Sequence, residues 1–146
     1  MSSTKTFFTL QEQGAIKQAI VDAEHNTSGE IRVHIDDKCK GEPMQKAVDV
    51  FAVLQMHKTE LHNGVLFYLA VEDKKFAILG DAGIHAAVPE NFWDNIKEEM
   101  GKNFKLGKFA EGLCIAIGKA GEQLKMHFPY NQNDSNELKD ELSFGK

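Results

Sequence analysis

The sequence predicts an α/β domain: a small mixed sheet of at least three strands, with one parallel crossover and one antiparallel hairpin, packed with about four helices. Three observations predict it. Residues Val65 to Val71 form an uninterrupted apolar run rich in Val, Phe and Tyr, the pattern of a central strand covered on both faces. Residues Glu30 to Asp36 alternate with period two, Ile31, Val33 and Ile35 against Glu30, Arg32, His34 and Asp36, the pattern of a strand with one buried face. Apolar residues recur at helical spacing between these two segments and through most of the chain that follows.

The first helix is announced by Thr9 and Glu12, three residues apart, so that each side chain can satisfy the other's exposed backbone N–H. Its apolar stripe runs through Leu10, Ile16, Ala19, Ile20 and Ala23, and Asn26, Thr27, Ser28 and Gly29 end it just past His25. The alternating strand follows, and its polar side must see water or a polar site. Pro43 suits the first position of a second helix, whose Met44, Ala47, Val48, Phe51 and Leu54 share a side and carry it to about His57. After the apolar strand, Glu72 to Lys75 make a short polar connection to a third strand, Phe76 to Gly80, giving a hairpin. The second helix joins strands one and two as a parallel crossover. From Gly80 the chain reads as helical: Pro89 opens a segment with Phe92, Trp93, Ile96 and Met100, and a last helix from Lys108 carries Phe109, Leu113, Ile117, Ala120 and Leu124, with Phe104 plugging the junction.

The 146 residues carry 17 Lys plus Arg against 22 Asp plus Glu, a net charge of -5, and 42% are hydrophobic. A chain of this size buries roughly 68–70% of its unfolded surface, enough to hold one core without disulfides or a structural metal. The expected organisation is one domain over residues 1–129 and a mobile polar tail over 130–146. A pI near 5.7 offers no clustered basic surface for a phosphate backbone, so nucleic acid is not an expected partner. The first ten residues lack the apolar stretch of a secretory signal, which leads to the expectation of a cytoplasmic protein. No run approaches the roughly 20 apolar residues of a membrane span. Cys39 and Cys114 stand far from any zinc-finger spacing and read as incidental thiols.

Several chemistries are excluded by what they require. Gly80-Asp81-Ala82-Gly83 lacks the Lys and Ser or Thr of a phosphate loop, no dinucleotide fingerprint or Gly-x-Ser-x-Gly elbow occurs, and Arg32 is the sole arginine, so no cysteine phosphatase can be assembled. Carboxylates, imidazoles or a bound cation must carry any catalysis. The inferred topology brings three loops to one sheet edge: Ser28, Gly29 and Glu30; His57, Glu60, His62 and Asn63; Asp81 and His85. Glu30 and Asp81 with backbone carbonyls suit calcium or magnesium, whereas His57, His62 and His85 suit zinc, and the residues alone leave the choice open. Asp81 also fits a plain helix cap, and Glu30 a solvent-facing strand residue. The opposite edge, with Asp36, Asp37, Lys38, Cys39, Glu72 and Asp73, is where open α/β sheets usually bind ligands, and also reads as a charged solvated loop. Arg32 can grip an anion or pair with a neighbouring carboxylate.

Ser28-Gly29-Glu30-Ile31, Asn63-Gly64-Val65-Leu66 and Ile78-Leu79-Gly80-Asp81-Ala82-Gly83-Ile84, followed by Phe104, Gly107, Phe109 and Gly112-Leu113, resemble the TPM domain family in order and spacing. The resemblance spans about Leu10 to Phe128. It implies a compact α/β sandwich, divalent-cation binding in some members and acid phosphatase activity in some plant relatives. Carried over residue by residue, it favours the edge with Glu30, Asn63 and Asp81 over the opposite one. The convergence of the three loops, read from the residues themselves, makes Glu30 and Asp81 the expected metal ligands (calcium or magnesium ahead of zinc), with Asn63 and the lone guanidinium of Arg32 as expected ligand-binding residues. Two functions follow as expectations. One is an accessory binding module for a protein partner, with an apolar patch at Phe92 and Trp93. The other is metal-assisted hydrolysis of a phosphorylated small molecule, in which Asp81, His62 and His85 form the catalytic set.

Overall fold

The computed structural model describes residues 7–59, 61–89, 91–129 and 142–144. Helix α1 (Leu10–Glu24) starts at the expected capping box: Glu12 N donates to Thr9 Oγ1 at 3.0 Å, and Thr9 N donates to the Glu12 side chain at 2.9 Å. Strand β1 (Glu30–Asp36) leads to helix α2 (Pro43–Val53), with Pro43 in its first turn. This helix is shorter than its apolar spacing suggests. Gln55 adopts left-handed backbone, φ 58°, and a separate 3-10 turn, Met56–Lys58, completes the passage to β2 (Gly64–Ala70). Strand β3 (Lys75–Gly80) is followed by the short α3 (Ala82–Ala87), then α4 (Phe92–Lys105) and α5 (Phe109–His127).

The sheet order is β3-β2-β1-β4, where β4 is Leu142–Phe144. Strands β1 and β2 run parallel, β2 and β3 antiparallel, and β4 lies parallel to β1 on its outer side. The mixed sheet with its crossover and hairpin is therefore the predicted one. It gains a fourth strand from within residues 130–146, most of which lie outside the described residues.

The alternation of side chains divides the core into two layers. Ile31, Val33, Ile35, Val65, Phe67, Leu69 and Ile78 face α1, α4 and α5. Leu66, Tyr68, Ala70 and Ala77 face Ala47, Val50 and Phe51 of α2 with Met56. Every residue of β2 is buried, as a strand with helices on both faces requires. The polar side of β1 departs from expectation: Glu30 is 3% exposed and Arg32 9%, so the start of that face is buried as well. The Phe92 and Trp93 patch is a second correction. Trp93 is 7% exposed and belongs to the core, and half-buried Phe92 packs against it with ring centroids 4.9 Å apart, so this turn of α4 faces inward. Phe104 does fill the α4–α5 junction, meeting Phe109 at 5.0 Å.

Candidate functional site

Register decides which polar groups meet. Glu30 pairs with Gly64 and Val65 with Gly80, so β1 and β2 begin, and β3 ends, at one edge. This amino edge holds Ser28, Glu30, Asn63 and Asp81. Asn63 is 1% exposed; its Nδ2 donates to Ser28 Oγ at 3.2 Å, and its backbone N–H donates to Thr59 Oγ1 at 3.3 Å. Asp81 caps α3, its Oδ1 accepting from Ala82 N at 2.8 Å, while its own N–H donates to Gly64 O at 2.9 Å. Asp81 Oδ2 lies 3.4 Å from His62 Nδ1, within ion-pair range of a protonated imidazole but without hydrogen-bond geometry. Asn63 Oδ1 and Asp81 Oδ2 are thus buried acceptors with no hydrogen-bond donor among the described residues.

The edge is drawn tight by Gly83. A Cβ there would lie 2.2 Å from Leu61 O, so only glycine lets the first turn of α3 close on residues 61 and 62. Gly83 N and Ile84 N both donate to His62 O, at 2.8 and 3.3 Å, and His62 takes left-handed backbone, φ 51°. The Gly80-Asp81-Ala82-Gly83 motif is accordingly a joint between β3, α3 and the approach to β2. His85 is exposed in the last turn of α3, His57 is exposed on the 3-10 turn, and Glu60 lies outside the described residues. Among the described residues, no group of three or more His, Cys, Asp and Glu side chains converges as a metal site.

The carboxyl edge of β1 and β2 carries a more open feature. His34 and Tyr68 are register partners and stack with centroids 6.1 Å apart and planes 11° apart. The Tyr68 hydroxyl donates to Asp36 Oδ2 at 2.7 Å, and His34 Nε2 lies 3.1 Å from Asp36 Oδ1. A cleft of about 710 Å³ opens there, lined in part by His34, Asp36, Lys46, Asp49 and Glu72. Burial holds the His34 imidazole below its ordinary range despite the counteracting Asp36 carboxylate. Burial first, and the bond to Asp36 second, push the Tyr68 phenol well above its ordinary value. The loop below is clamped: Asp73 Oδ2 accepts from Cys39 N at 2.7 Å, and Lys75 Nζ donates to Cys39 O and Gly41 O. Sequence reasoning placed Asp36 here but missed Tyr68. Its signal was one hydroxyl in an otherwise apolar run, two residues past Leu66 on the same face.

Arg32 sits between the two edges on the polar face of β1. It makes no ion pair with a carboxylate among the described residues, and its Nε is buried without an acceptor. Neither thiol is a prepared nucleophile. Cys39 is buried, and burial raises the Cys114 pKa, keeping it protonated. No described helix is long and apolar enough to cross a membrane.

Fold and edges together define a three-layer α/β domain with parallel strands β1 and β2 central and polar groups gathered at both ends. The model of the TPM domain matches residues 2–123, and the chain belongs to that family. It is similar to the BA42 protein of the psychrophilic bacterium Bizionia argentinensis, at 46% identity and TM-score 0.89, with 99% of this chain and 100% of that one covered. The fold is shared with the N-terminal domain of the cg2496 protein from Corynebacterium glutamicum, at 13% identity and TM-score 0.64, covering 93% of this chain and 80% of that one. An N-terminal domain of a P. gingivalis protein shares it too, at 14% identity and TM-score 0.71, covering 87% and 84%. No functionally curated protein matches the chain significantly.

Proposed function

We propose that this TPM-domain chain is an accessory binding module whose amino edge takes a hard divalent cation, calcium or magnesium, and presents it to an anionic group of a ligand or partner. One observation carries the reading: Asn63 Oδ1 and Asp81 Oδ2 are two buried oxygens without donors among the described residues, on backbone brought to one sheet edge, where Asp81 N donates to the carbonyl of Gly64, next to Asn63. A buried acceptor left unsatisfied calls for a water or an ion. Hard cations take carboxylate, amide and backbone oxygens, about six to eight in the case of calcium. Asp81 and Glu30 supply the charge and Asn63 an amide oxygen. In this reading the three side chains would contribute part of the shell, and backbone carbonyls and waters would complete it. Zinc fits less well, since His57 and His85 stand on the exposed surface and only His62 approaches Asp81.

The test is a calcium and magnesium titration followed by amide NMR shifts. The expected result is saturable change centred on residues 62–64 and 81–83, reversed by a chelator and at least tenfold weaker in Asp81→Asn. Shifts scattered over surface carboxylates, or unchanged affinity in the variant, refute the reading. The 3.4 Å approach of His62 to Asp81 favours a second reading, hydrolysis of phosphomonoesters, in which His62 holds the transferred proton beside a cation that polarises the phosphoryl oxygen. Hydrolysis of p-nitrophenyl phosphate near acidic pH should then fall at least tenfold in His62→Gln; equal rates in the two proteins remove this second reading.

A further inference from the structure

We infer that a groove between β3 and the α4–α5 junction binds a long-chain carboxylate of the fatty-acid type. Its walls are aromatic: Phe76 meets Phe104 edge-on with centroids 5.2 Å apart, and Phe104 meets Phe109 at 5.0 Å. The hollow measures about 570 Å³, within the range of about 300–1,000 Å³ typical of small-molecule pockets. Part of its lining is Gly101, where an added Cβ would meet no atom within 4 Å, so the space above the helix is open. Among the described residues, the side chains with polar atoms around it are those of Lys74 and Lys105. Both are exposed, and neither makes an ion pair with a carboxylate among the described residues, in a chain whose net charge is -5. Lys74 is held in left-handed backbone, φ 55°, in the β2–β3 turn, a conformation that costs a side-chain-bearing residue energy.

Charge and shape together choose the occupant. Three phenylalanine rings offer an apolar, ring-lined wall and nothing to hydrogen-bond a polar ligand. The two ammonium groups at the rim suit a single anionic head, and their alkyl stems can extend the apolar surface. A carboxylate on a flexible hydrocarbon tail satisfies both halves at once. The groove lies away from Glu30, Asn63 and Asp81 and owes nothing to a cation there.

The experiment is a fluorescence titration of the full chain with cis-parinaric acid, followed by displacement with palmitate and with its methyl ester. Saturable one-to-one binding is expected, with palmitate displacing the probe at least tenfold better than the ester. Gly101→Leu places a side chain into the open hollow and should weaken probe binding at least tenfold while its thermal melt shows a folded protein. Lys74→Glu combined with Lys105→Glu should weaken binding of the acid at least tenfold and leave the ester within about threefold. Absence of saturable binding, or binding that Gly101→Leu leaves unchanged, overturns the proposal. So does self-association of the chain, abolished by Gly101→Leu, without fatty-acid binding, since a second copy is then the occupant.

Discussion

Replacing Gly83 with Ala probes how the amino edge is held together. The added Cβ would lie 2.2 Å from Leu61 O and 2.7 Å from His62 O, both backbone atoms that no rotamer change can move. An ordinary carbon–oxygen contact is about 3.3 Å, so α3 must retreat by about 1 Å. That retreat stretches the two bonds donated to His62 O by Gly83 N and Ile84 N. Overpacking costs about 1–3 kcal/mol, the two weakened hydrogen bonds about 1 kcal/mol each, and the better helix propensity of Ala returns about 1 kcal/mol. The net loss is about 2–4 kcal/mol, which for a chain of this size lowers Tm by roughly 6–12 °C. Gly101→Ala is the matched control. It lies in the interior of α4 with no atom within 4 Å of a new Cβ, so it should raise Tm by roughly 2–4 °C. Thermal and urea melts by circular dichroism measure both. A Gly83→Ala protein melting within about 2 °C of the parent, or a Gly101→Ala protein destabilised to the same extent, refutes the reasoning.

Two further expectations concern the carboxyl edge. Tyr68→Phe removes the donor to Asp36 Oδ2 at a fully buried ring and should cost about 1.5–3 kcal/mol by urea melt; a loss below about 0.5 kcal/mol means water replaces the hydroxyl. Burial lowers the His34 pKa below 6.5, so the unfolded chain binds this proton more readily than the folded one. The His34 contribution is therefore full above about pH 6.5 and drains away as pH falls towards the lower folded value. Stability measured from pH 7.5 down to 5 should decline less steeply in His34→Gln than in the parent; parallel curves contradict the assignment.

What could be read from the chain was mostly local. Thr9 and Glu12 announce their own capping box, Val65 to Val71 can hardly be anything but a buried strand, and the short polar link at Glu72 to Lys75 enforces the hairpin. Topology then followed from connection lengths, and with it the gathering of Ser28, Asn63 and Asp81 at one edge. The failures were long-range. Helical spacing around Phe92 and Trp93 gives a stripe but not which way the stripe faces, and Trp93 turns out to pack where Gly80 leaves room. The Tyr68–Asp36 bond joins residues 32 apart and depends on a register that period-two alternation cannot specify. Residues 142–144 form a strand too short to announce itself, paired to a partner more than a hundred positions earlier.

That last pairing gives β1 an unusual guardian. Among the described residues, three, Leu142–Phe144, shield the flank of β1 opposite β2. Were they to peel away, the bared backbone N–H and C=O groups would become a template on which a strand from another molecule could add. The protein's resistance to clumping should thus hinge on its last short strand, far along the chain from the residues it protects.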